Sequence, residues 1–150
     1  MTQSRIEQVL SELGTSVGAD LAPDANGVVT LAFGDDVTLA LEVPADSDFV
    51  YFHSTVKRLG GADRVAALES AMERNLFGLP MSGAWLALDR SSDELTLCYS
   101  LLAASVDADR LSGTLEALAA TVRALRQEVS EQHGDDKTQS LDMSDHFIRV

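Results

Sequence analysis

The sequence predicts an α+β domain: a helix, three strands, a helix, two strands and a last helix, with the helices packed on a mostly antiparallel, twisted sheet. Three observations predict it. Apolar residues recur at steps of three and four in three separate stretches, as on one face of a helix. Five other stretches alternate or are rich in β-branched and aromatic residues. The two kinds of pattern come in mixed blocks rather than in strict alternation, which argues against a parallel α/β sheet. At 150 residues the chain is most simply one domain with its own core.

Ile6, Val9, Leu10 and Leu13 form the apolar stripe of a short first helix, residues 3–13, expected to stop near Gly14. A loop follows, marked by Gly18, Pro23 and Asn26-Gly27. Residues 28–33, VVTLAF, read as a strand, and Gly34-Asp35-Asp36 as a turn. In residues 37–43 Val37, Leu39, Leu41 and Val43 fall on one face and Thr38, Ala40 and Glu42 on the other, so the two strands should pair as a hairpin. Residues 49–57, FVYFHSTVK, read as a third strand that Gly60-Gly61 ends.

The second helix starts near Asp63. Val65, Leu68, Met72 and Leu76 share one of its faces. Asn75 and Gly78 can supply the left-handed conformation that ends it, and Pro80 prevents it from resuming. After Gly83, residues 84–88 read as a fourth strand and residues 95–102 as a fifth, with Leu95, Leu97, Tyr99 and Leu101 facing one way. Asp107 is placed to cap the last helix, along which Leu111, Leu115, Leu118, Val122, Leu125 and Val129 repeat. The repeat stops near Glu131. The domain is therefore expected to span 1–130, with 131–150 as a flexible acidic tail.

The net charge of −13 argues against nucleic acid and against an anionic membrane as partners. It suits solubility and a basic or amphipathic protein partner. The single cysteine, Cys98, excludes an intrachain disulfide and fits a reducing compartment. No apolar run approaches the length of a membrane span, and the amphipathic start of the chain lacks a signal-peptide core. The expected location is the cytoplasm.

No catalytic constellation emerges. His53 lies in an apolar strand, His133 and His146 in the tail, and no pair has zinc-site spacing. Cys98 has no base beside it in sequence. The pairs Asp35-Asp36, Asp46/Asp48 and Asp135-Asp136 lack the alternation of a calcium loop and suit turns. Gly60-Gly61 belongs to neither dinucleotide nor phosphate loop patterns. No enzyme activity, metal or cofactor is expected. What remains is apolar surface. The hairpin 28–43 is apolar on one face and carries Thr30, Ala32, Thr38 and Ala40 on the other. Helices could cover both faces, or one face could take a second subunit or an extended client.

Residues 67–89, ALESAMERNLFGLPMSGAWLALD, run from a helix ending in Asn-Leu-Phe through a small-residue turn to Gly-Ala-Xaa-Leu-Ala-Leu-Asp. This segment resembles the class I type III secretion chaperones, the Tir-chaperone family, and the order of elements carries the match to about residue 130. The chain departs from the family pattern in having Ala103-Ala104 where a proline is frequent, and an all-aliphatic last helix. The resemblance implies a non-enzymatic homodimer that holds the N-terminal chaperone-binding region of secreted effector proteins in extended form. It implies a dimer contact through Leu68, Met72, Leu76, Phe77 and Trp85, and client grooves at Leu10, Leu13, Phe33, Leu39 and Leu41. The row containing Leu39 and Leu41 is longer than a helix of about three turns can cover, so its far end is expected to stay open. The alternative is an adaptor or regulatory dimerisation module of the same fold that sequesters a protein partner.

Overall fold

The computed structural model describes residues 2–76 and 81–142, with side chains over 4–76 and 81–128. The elements follow the expected order: α1 (Thr2–Val17), β1 (Val28–Phe33), β2 (Val37–Glu42), β3 (Phe49–Arg58), α2 (Arg64–Asn75), β4 (Trp85–Asp89), β5 (Glu94–Leu102) and α3 (Ala108–Asp142). The strands form one sheet in the order β1-β2-β3-β5-β4. Every neighbouring pair is antiparallel. The class is α+β, as the block order requires.

One sheet face carries the core. Val29, Leu41 and Phe52 lie in register across β1, β2 and β3, and all three are buried. Val37, Leu39, Val50, Leu97 and Leu101 extend the same face. Ile6, Val9, Leu10 and Leu13 of α1 and Leu111, Leu115, Leu118, Val122 and Leu125 of α3 complete the core. α3 packs on β2 and β3, while α1 packs on α3. Two helices with wide apolar stripes thus cover one face. Among the described residues no buried side-chain nitrogen or oxygen lacks a partner.

This packing corrects the open-row expectation. α1 alone does not cover the β2 row, but α3 does. Leu10 (1% exposed), Leu13, Leu39 (1%) and Leu41 (0%) are core residues of the monomer and present no surface to a client.

Three boundaries also differ from expectation. α1 passes through Gly14 and ends at Gly18, which has φ +69°. Gly14 answers a different need: a Cβ there would meet the Ala19 carbonyl oxygen at 2.5 Å. The Ala19 N–H donates to the Gly14 carbonyl at 3.0 Å, so the chain folds back directly over that residue. α2 ends without a left-handed residue at its C-cap, because Leu76 is extended at φ −63°, ψ 111°. Gly78 and Pro80 lie outside the described residues. α3 begins as expected, with the Arg110 N–H donating to the Asp107 carboxylate at 2.8 Å. Its backbone then continues to Asp142, past the point where the apolar repeat stops. Val129 lies outside the described side chains.

The β1–β2 turn is tied to α3. Arg123 donates from Nε and Nη2 to the two carboxylate oxygens of Asp36 at 2.8 and 2.9 Å. Its Nη2 also donates to the Phe33 carbonyl at 2.7 Å. Arg126 donates to the carbonyls of Asp36 and Thr55. The Thr55 carbonyl lies beside a register shift between Thr55 and Lys57, where a bulge interrupts the ladder.

Candidate partner-binding surfaces

Among the described residues, the buried side chains of α1 and α3 join the core on the first face, and the second face bears exposed side chains. Register sets its side chains in rows. Thr30, Ala40, His53, Cys98 and Trp85 cross all five strands. Glu42, Tyr51 and Ser100 form the next row, and Phe49 and Leu102 lie beyond it. Phe49, Tyr51, Trp85 and Leu102 are exposed. Tyr51, His53, Trp85 and Cys98 help to line a depression of about 500 Å³ on this face. Clustered exposed aromatics of this kind mark interaction sites on small proteins.

The polar groups on this face pair with one another. His53 Nε2 lies 2.9 Å from Glu42 Oε1, with both side chains about two-fifths accessible. The Thr55 hydroxyl donates to Glu94 at 2.9 Å and Arg58 approaches the same carboxylate at 3.2 Å. Those two bonds, the Thr55 one foremost, hold the Glu94 carboxyl below its ordinary value. Burial, and then the nearby Glu42 charge, push the Cys98 thiol up. A raised thiol is a poorer nucleophile at neutral pH, so Cys98 lacks the activation that catalysis needs. Among the described residues there is no group of three or more His, Cys, Asp and Glu that could hold a metal ion.

The second surface is the outer side of α2. Ala71 is its buried residue, and the helix packs on β4. The apolar stripe that the sequence places on one face of this helix points mostly outward. Val65, Met72 (75% exposed) and Leu76 are open to solvent, and Leu68 is half-buried. Trp85 is exposed on β4, the strand that α2 contacts. Leu68, Met72 and Leu76 thus lie along α2 and its C-cap, whereas Trp85 lies in the second-face row with Cys98 and His53. Phe77 lies outside the described residues.

The two sheet edges differ. On β4, the Leu86 N–H donates to Asn75 Oδ1 at 2.8 Å, and Asn75 Nδ2 donates to the Leu86 carbonyl at 2.9 Å. On β1, the Val28 N–H donates to the Asp24 carboxylate at 3.0 Å and its carbonyl accepts from the Asp24 N–H at 2.9 Å. Val28 therefore faces away from β2, and by alternation so do Thr30 and Ala32. Phe33, half-buried, packs against the core at the far end of this strand. Of the expected client residues it alone keeps accessible surface.

The sequence missed Phe49, Tyr51 and Leu102 as surface residues. β3 is aromatic on both faces, so its alternation has no polar side to mark the outside.

Five antiparallel strands and three helices in this order make an α+β fold. The model of the Tir chaperone protein (CesT) family matches residues 8–126, and the chain belongs to that family. Solved structures agree in fold. The ExsC–ExsE complex matches with a TM-score of 0.71 at 18% identity, over 83% of this chain and 93% of the other. The HopA1–SchA chaperone–effector complex matches with 0.70 at 16%, over 85% and 97%. The heterodimeric ExoU–SpcU complex from the type III secretion system of Pseudomonas aeruginosa matches with 0.62 at 16%, over 81% and 95%. No curated protein matches the sequence. Among the described residues no helix is long and apolar enough to cross a membrane.

Proposed function

We propose that this protein is a class I type III secretion chaperone. It works without catalysis, in the cytoplasm, as a homodimer. It binds the N-terminal chaperone-binding region of one or a few secreted effector proteins in extended form and aids their stability and delivery to the secretion apparatus. Family membership supports the reading, as does the likeness in fold to a chaperone that is bound to its effector.

The observation that carries the proposal is the uncovered sheet face with Phe49, Tyr51, Trp85 and Leu102 on it. A soluble protein with a net charge of −13 has no need of exposed aromatics for solubility. The apolar part of this face, on β3, β5 and β4, suits a client's side chains, and the β1 edge, two strands from Tyr51, offers backbone groups to an extended segment. A client that orders only on binding loses conformational entropy, so the contact must be extensive. The outward stripe of α2 is the surface for the second copy.

Capture from the native cell tests the reading. Tagged protein should retain an effector through its N-terminal segment. Tyr51→Ala with Trp85→Ala should lose that partner while remaining folded. Recovery of a partner that is not secreted would replace the chaperone reading with the adaptor one.

A further inference from the structure

Asn75 does more than end α2. β4 is an edge strand, and antiparallel pairing turns alternate residues away from its neighbour β5. Leu86, opposite Leu97, is one of them, because its N–H and C=O both meet Asn75. Leu88 is the next outward residue by alternation. An incoming strand bonds to alternate residues, so on β4 it needs Leu86 and Leu88 together. Asn75 occupies the first with both halves of its amide, one donor and one acceptor, as a residue of a neighbouring strand would. It is held there by α2, which packs on β4. Just upstream, the Ala84 N–H is already donated to the Met81 carbonyl at 2.9 Å. Among the described residues, β1 is capped at its start, by Asp24. Thr30 and Ala32 follow as two successive outward residues.

We propose that Asn75 is a specificity residue that denies the β4 edge to any added strand. A second copy must then dock on the outer face of α2 rather than join the two sheets edge to edge, and an extended client can lengthen the sheet only from β1. The inference rests on the dimeric chaperone reading. It assigns to one side chain the choice between helix-face and sheet-edge association. Unsealed edges associate, and proteins block them for that reason.

Amide hydrogen exchange and light scattering test it. In the wild-type protein the Leu86 amide should exchange at least about tenfold more slowly than that of Leu88. Equal protection of the two would mean that β4 is paired along its edge, and would overturn the proposal. Asn75→Ala should lose Leu86 protection at low concentration and form heavier particles than wild type as concentration rises. Asn75→Asp keeps an acceptor for the Leu86 N–H and places a charge on the edge, so it should hold the wild-type mass. A purely structural role would lower the urea midpoint of both variants and change the mass of neither, and that pattern would also overturn it. If Asn75→Ala does not fold, the wild-type exchange comparison decides. A wild-type monomer with Leu86 protected and Leu88 exchanging would end the dimer reading and support the edge seal.

Discussion

Leu39→Asp separates core from client surface. Leu39 is 1% exposed, on the β2 face that α3 covers. Truncating such a leucine to alanine costs about 2–5 kcal/mol through lost transfer energy and the cavity left behind. Aspartate forfeits the same contacts and adds the cost of a carboxylate with no partner, several kcal/mol more or an equivalent cost of holding it protonated. A domain of this size has about 5–15 kcal/mol in total. Leu39→Ala should therefore fold with a lowered urea midpoint, and Leu39→Asp should not fold. Tyr51→Ala is the control on the opposite face, where exposure limits the loss to about 1 kcal/mol or less. It should keep the wild-type circular dichroism and weaken partner capture by about tenfold or more, the mark of an aromatic anchor. A Leu39→Asp protein with wild-type dichroism, mass and urea midpoint would show that β2 is not covered by α3. The assignment of the client to the other face would then fall.

Light scattering of the wild-type protein should give about twice the 16.0 kDa chain mass. Met72→Glu, which places a charge in the outward stripe of α2, should return it to a single chain; a variant that stays dimeric would move the interface elsewhere. The Arg123 hydrogen bonds hold the Asp36 carboxyl below its ordinary 3.8, helped by the positive charge. Its folded value lies below the unfolded one, so its contribution is present above about pH 3.8 and is lost as pH falls through the lowered folded value. In Arg123→Ala the Asp36 carboxyl carbon should titrate closer to 3.8 by NMR, and an unchanged midpoint would refute the attribution. Removing residues 131–150 should leave cooperative unfolding intact, because the core repeat ends before them; an unfolded truncation would show that the segment packs on the domain.

The elements that the sequence made legible are those whose signals are local. β1 is bracketed by Asn26-Gly27 and Gly34-Asp35-Asp36, and the strand runs from Val28 to Phe33 as expected. Asp107 caps α3 through a bond to a residue three positions away. The faces of β5 follow from strict alternation, with Leu95, Leu97 and Leu101 buried and Tyr99 half-buried against the core. Signals that depend on distant parts of the chain are less legible. Gly14 looks like a helix stop but is a close-approach site for Ala19. The stripe of Val65, Leu68, Met72 and Leu76 shares one helix face as expected, though its period alone does not say whether sheet or solvent lies beside it. α2 turns its alanines, Ala67 and Ala71, towards the core instead.

The same limit explains why Leu39 and Leu41 read as groove residues and not as core. Alternation in β2 identifies two faces, and apolar weight favours the one with Leu39 and Leu41. That weight is there because two helices cover it. Three helices could in principle have covered both faces of a five-stranded sheet. Here α2 lies along β4, where Asn75 bonds to Leu86, and is not laid across the open face. With α1 and α3 both on the core face, the rows through Trp85, His53 and Tyr51 have no covering helix among the described residues. The residue that reads as a helix stop is therefore part of the reason that a sheet face remains free. Thr30, Ala32 and Thr38 are exposed on that face and add little polar character, while Phe49, Tyr51, Trp85 and Leu102 carry its aromatic and aliphatic area.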